Sequence, residues 1–116
     1  MCGQSVPYTL VPPAADLPAN MRAFSGVWVG AWPSGICNAV VIESIKPDGT
    51  VSILDVFGPD SGKPPGTLRY AGKIVGDTLT SAGRSKSIEF SPTSATQMSA
   101  TYLSSDAQAR GIFSRR

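Results

Sequence analysis

Residues 24–32 read Phe24-Ser25-Gly26-Val27-Trp28-Val29-Gly30-Ala31-Trp32, and the alternation in this stretch decides the architecture. Phe24, Gly26, Trp28, Gly30 and Trp32 share one face at a period of two, while Val27, Val29 and Ala31 share the other. Successive side chains of a strand point to opposite faces, so this is the signature of a β-strand and not of a helix. Pro33-Ser34-Gly35 then ends the strand, since proline removes a ladder donor and glycine permits a turn.

The same logic carries through to residue 115. Residues 37–46 predict a second strand, and Pro47-Asp48-Gly49 a turn, with proline setting one φ and glycine allowing a positive one. Residues 50–57 predict the third strand, and 58–66, rich in Gly and Pro, the longest loop. A fourth strand alternates Leu68, Tyr70 and Ile74 with Arg69, Ala71 and Lys73; Gly76-Asp77 turns it into a fifth at 78–82. After a turn at Gly83-Arg84, strands follow at 86–91, with Ile88 and Phe90 inward, and at 96–103, with Met98, Ala100 and Tyr102 on one face. Ser104-Ser105-Asp106 leads to a last strand at 108–115, with Ala109, Gly111 and Phe113 inward. Eight short strands in sequential hairpins imply an all-β, antiparallel, up-and-down meander that closes into a barrel and so removes its edges. Two stacked sheets are the competing solution.

Residues 1–23 hold Pro7, Pro12, Pro13 and Pro18 without helical or alternating pattern, and predict an extended or loose arm before a barrel domain at 24–116. The chain of 116 residues is expected to hold a single core. Only 16% of residues are charged, below the roughly 25% of typical soluble domains. Ser, Thr, Asn and Gln must therefore cover the surface. A net charge of +2 gives nucleic acid no electrostatic hold, and Lys63, Arg69, Lys73, Arg84 and Lys86 read as a solvated face without interleaved aromatics. No apolar run reaches the roughly eighteen residues of a membrane span, and Met1-Cys2-Gly3 is expected to be neither a secretory signal nor a lipid-anchor site. Cys37 reads as a small half-buried side chain and Cys2 as untethered; the compartment stays open, with the cytoplasm slightly favoured over an extracytoplasmic location. A bridge pinning the arm to the barrel is the alternative in an oxidising compartment.

Gly26-x-Trp28 at the start of the first strand, the eight-strand meander, and Arg115-Arg116 at the end of the last resemble the calycin group, the lipocalin-like and avidin-like barrels. The resemblance implies that Trp28 packs across the closed end of the barrel. It also implies that an arginine from the last strand, Arg115 or Arg116, lies over the indole in a cation–π contact. The stretch from Phe24 to Trp32 is likewise similar to the first strand of avidin-like barrels. Their ligand cage needs several more tryptophans than the two present, Trp28 and Trp32. The chain also resembles small barrel domains appended to larger bacterial enzymes, which implies a parent protein and a linker role for the arm.

Histidine is absent, which excludes Ser-His-Asp, Cys-His and imidazole-metal chemistry. No phosphate-binding glycine loop, metal set or cofactor motif stands out. The remaining acid/base candidates are Glu43 and Asp55, which the hairpin around 47–49 is expected to bring together. If the barrel holds a cavity for a small apolar ligand, Trp28, Leu68, Tyr70, Ile88, Phe90, Met98, Tyr102 and Phe113 are expected to line it. The first two strands are apolar on both faces, so Val27, Val29, Val41 and Ile45 predict an outer surface covered by the arm, a second copy or a partner domain. A non-enzymatic accessory or interaction domain is therefore the leading expectation, ahead of ligand binding and of catalysis.

Overall fold

A computed structural model describes residues 1–60, 62–82 and 86–116. The predicted turn at Gly83-Arg84, and with it the place of Arg84 among the basic residues, lies outside the described residues. The elements in chain order are α1 (Ala19–Arg22), β1 (Gly26–Ala31), β2 (Cys37–Ile45), β3 (Thr50–Phe57), β4 (Gly66–Val75), β5 (Thr78–Ala82), β6 (Lys86–Pro92), β7 (Gln97–Ser104) and β8 (Gln108–Arg115). Each strand pairs antiparallel with the next, and β8 returns to β1, giving a closed up-and-down barrel of eight strands. At the seam Trp28 sits opposite Arg115 and Gly30 opposite Phe113. Closure pairs the first strand with the last, so neither terminal strand is left as a free edge.

The turn between β2 and β3 illustrates the local chemistry. Gly49 adopts φ +90°, its N–H donates to the Lys46 carbonyl at 2.9 Å, and the Asp48 carboxylate accepts from the Thr50 N–H at 2.9 Å. The aspartate mimics a backbone acceptor while the glycine supplies the left-handed φ.

Inward side chains fill one half of the barrel. Trp28, Val40, Ile42, Val51, Ile53, Leu79, Phe90, Met98 and Phe113 are buried in one cluster with Leu17, Met21 and Phe24 from the segment before β1. α1 is a single turn that lies under this end, held where Asn20 Nδ2 donates to the Gly76 carbonyl at 2.7 Å. No period of 3.6 announces so short a helix, which is why the proline-rich segment shows no helical pattern. Burying Met21 and Phe24 there contributes about 2 kcal/mol each.

A second apolar cluster lies outside the wall. Ala39, Val41, Leu54 and Val56 are buried against Met1, Cys2, Val6, Val27 and Val29. The cover over the two-sided strands is thus the chain's own N-terminal segment, with Cys2 disulfide-bonded to Cys37. This corrects the expectation of an untethered Cys2 and a free Cys37. Two cysteines 35 residues apart carry no local signal of pairing; their proximity arises only once the segment crosses β2.

A bulge in β2 changes the face of its last residues. The register runs Ile42 opposite Ile53, then Ser44 opposite Ser52 and Ile45 opposite Val51, leaving Glu43 as the extra residue. One inserted residue reverses the parity that follows it. Ile45 therefore packs against the interior cluster, beside Val51, and not on the outer face with Val41.

Candidate functional site

The half of the barrel away from α1 is not filled. A cavity of about 710 Å³ lies there, among Trp32, Asn38, Asp55, Leu68, Tyr70, Ile88 and Tyr102 and the segments that end β1, β3 and β5. Trp32 on its lining packs onto the filled half: it meets Phe113 edge-on at 5.6 Å between centroids, and Phe113 meets Phe90 at 5.7 Å. Trp32 also meets Tyr102 at 6.3 Å. Such T-shaped pairs are favourable because the positive ring edge faces a negative π-cloud.

The structure divides the residues expected to line a cavity. Leu68, Tyr70, Ile88 and Tyr102 face it, with Leu68 more than half exposed at the mouth. Trp28, Phe90, Met98 and Phe113 are fully buried in the packed half and do not border it. Sequence reasoning missed Trp32 and Asn38. Both signals are present: Trp32 shares the inward parity of Trp28, and Asn38 is an inward amide ahead of the apolar run 39–42.

A hydrogen-bonded polar cluster lies on the lining, which also carries Ser34, Asp60, Ser81, Lys86 and Ser87. Asn38 Nδ2 donates to Asp55 Oδ1 at 2.5 Å and to the Val56 carbonyl at 2.9 Å, while Trp32 Nε1 donates to Asn38 Oδ1 at 3.1 Å. Tyr70 Oη donates to Asp55 Oδ2 at 3.0 Å. Burial pushes the Asp55 carboxyl above its ordinary value, partly offset by the bonds from Asn38 and Tyr70 and by the Lys86 charge. Burial, the Asp55 charge and the bond to it push the Tyr70 phenol far up, so it remains a donor. Among the described residues, no group of three or more His, Cys, Asp or Glu is placed to hold a metal ion.

Glu43 does not join Asp55, contrary to the expected pairing. Asp55 sits opposite Val40 and faces the cavity; Glu43, on the bulge, faces out. There its carboxylate accepts from Arg69 Nε at 3.0 Å and from the Thr9 N–H at 3.1 Å, and its carbonyl accepts from the Val11 N–H at 2.8 Å. Burial alone would raise its pKa, but the Arg69 guanidinium and the Thr9 N–H together hold it below the ordinary value. Glu43 thus fastens the N-terminal segment to the wall.

Of the four residues expected on the outer surface, Val41 is fully buried and Val27 and Val29 are half-buried, all packed in the cluster with Met1, Cys2 and Val6. No helix among the described residues is long and apolar enough to cross a membrane.

No protein-family model matches the sequence, and no curated protein does. The fold is similar to solved structures of designed proteins. A redesigned beta barrel matches with TM-score 0.65 at 15% identity, over 89% of this chain and 99% of that one. The redesigned beta barrel mFAP1, bound to DFHBI, matches with TM-score 0.61 at 16% identity, over 85% of this chain and 100% of that one. A de novo designed fluorescence-activating beta barrel matches with TM-score 0.58 at 18% identity, over 86% of this chain and 100% of that one. At these identities the likeness is one of fold: an all-β, closed, eight-stranded antiparallel up-and-down barrel.

Proposed function

We propose that this protein binds a small, mostly apolar molecule in the unfilled half of its barrel. The observation that carries the reading is the cavity of about 710 Å³, within the range of roughly 300–1,000 Å³ usual for small-molecule sites. The Trp32 and Tyr102 rings and the polar cluster around Asp55 suit a ligand with a flat apolar body and a hydrogen-bonding group. A small domain gives up dispersion contacts by leaving such a volume unfilled, and bound ligand restores them. That mFAP1, of similar fold, is bound to DFHBI supports a small-molecule reading of such a barrel.

The accessory-domain reading rested on the two-sided apolar strands. The N-terminal segment accounts for that surface within one chain, which lowers the case for a second copy or a parent domain as its cover. Acid/base catalysis has less support still, because Glu43 and Asp55 lie on opposite faces of the wall. The Cys2–Cys37 bridge favours an oxidising compartment over the cytoplasm.

The test is titration with N-phenyl-1-naphthylamine, a neutral apolar fluorophore. Binding in the cavity gives saturable fluorescence enhancement, and Ala109→Phe, which fills space at the lining, weakens it about tenfold or more with the fold intact. Absence of saturable enhancement in the native protein, or equal binding by the filled variant, overturns the reading.

A further inference from the structure

We propose that the cavity prefers a planar apolar molecule bearing a protonated nitrogen, which donates to Asp55, over a neutral or anionic molecule of the same shape. This rests on the reading that the cavity binds a ligand. A count of donors and acceptors carries it.

The donors of the polar cluster are already engaged. Trp32 has one N–H, used on Asn38 Oδ1; Asn38 has two, used on Asp55 Oδ1 and the Val56 carbonyl; Tyr70 has one, used on Asp55 Oδ2. The orientation of the Asn38 amide follows from its neighbours, since turning it would aim its oxygen at the Asp55 carboxylate and the Val56 carbonyl. What remains for a ligand is acceptor capacity: a second lone pair on each Asp55 oxygen and one on Tyr70 Oη. The Tyr102, Ser34, Ser81 and Ser87 hydroxyls also border the cavity, but each can turn to donate or accept and so does not discriminate, while Asp60, at the same lining, adds acceptors and no donor.

Charge points the same way. The ion pair present among the described residues, Glu43–Arg69, lies outside the wall. Among the described residues no cation forms an ion pair with Asp55, and Lys86, on the lining, is itself exposed to solvent. Asp55 is half-buried, and a carboxylate partly withdrawn from water gains from a counter-ion, which a bound ammonium or amidinium supplies. Trp32 and Tyr102 offer π-faces that attract the same charge. A carboxylate ligand would meet Asp55 as a like charge and find no free donor in the cluster.

The experiment is isothermal titration of the full chain with three probes of one shape: 1-naphthylmethylamine, 1-naphthalenemethanol and 1-naphthoate. The expected order is ammonium tightest and carboxylate weakest, with about tenfold or more between them. Asp55→Asn is expected to abolish the advantage of the ammonium over the alcohol. Lys86→Gln, at an exposed position that leaves folding undisturbed, is expected to widen the gap between ammonium and carboxylate. Equal or tighter binding of the alcohol or the carboxylate by the native protein overturns this preference and leaves the ligand-binding reading standing. If none of the three binds and N-phenyl-1-naphthylamine also fails, both readings fall together.

Discussion

The Arg115 guanidinium lies 4.2 Å from the centroid of the Trp28 ring, and the two residues face each other across the seam that closes the barrel. Nε, Nη1 and Nη2 of the same arginine donate to the carbonyls of Ala95, Ser25 and Ala23 at 3.1, 2.6 and 2.7 Å. Trp28 Nε1 donates in turn to the Phe24 carbonyl at 3.0 Å. One side chain thus ties β8, the turn before β7 and the segment entering β1 over a buried indole.

Arg115→Ala is therefore expected to cost about 2–4 kcal/mol, from the lost cation–π contact and the three carbonyls left without a donor. Arg115→Lys should recover less than half, because an ammonium cannot reach three divergent acceptors while stacking on the ring. Urea denaturation followed by tryptophan fluorescence measures both. A lysine variant as stable as the native protein would show that the planar fork is not what matters.

Gly26 leads to the second prediction. Its φ is +124°, and a Cβ built there would lie 2.9 Å from Arg115 Nη1. Gly26→Ala strains the backbone and displaces the guanidinium from its carbonyls. The expected loss is about 1–3 kcal/mol, with much less additional loss when Arg115→Ala is already present. Additive losses in the double variant would separate the two effects.

Reducing the Cys2–Cys37 bridge is expected to destabilise the protein by about 3–4 kcal/mol, the loop-closure entropy for cysteines 35 residues apart. The released segment should also expose Val41 and Leu54, which it now covers. Comparing denaturation midpoints and proteolysis within residues 1–16, oxidised against Cys37→Ser, checks the outcome. Unchanged proteolysis would mean that packing alone holds the segment.

The carboxylate of Glu43 gives a pH dependence. Its folded pKa lies below the ordinary value of 4.5, so its stabilisation is present above that value and fades as the pH falls through the folded pKa. Glu43→Gln should therefore be less stable than the native protein at pH 7, and the gap should close on acidification below about 4.5. The effect is modest, since Arg69 is more than half exposed and its charge is screened. Faster hydrogen exchange at the Thr9 amide should accompany the loss. A gap that stayed constant with pH would locate the effect in packing.

Much of the wall is legible in the sequence. The third, fifth and eighth strands were read at 50–57, 78–82 and 108–115, the bounds they have in the fold, because turn formers flank each of them. Trp28 was placed inside by parity, and Arg115 was one of two arginines assigned to its face by resemblance. The candidate site was legible only in part. Leu68, Tyr70 and Tyr102 were identified by their inward parity, but parity does not say how far along the barrel axis a side chain sits. Phe90, Met98 and Phe113 share that parity and lie at the filled level.

What the sequence by itself determined is the in-and-out alternation of eight short strands and the turns between them, since both follow from local backbone geometry and the two-residue period. Only the tertiary structure decided the rest: which half of the interior is filled, that the bulge at Glu43 turns Ile45 inward, and that Cys2 reaches Cys37. These depend on contacts between residues far apart in the chain, where the gain from burial is set by how the closed wall brings distant faces together.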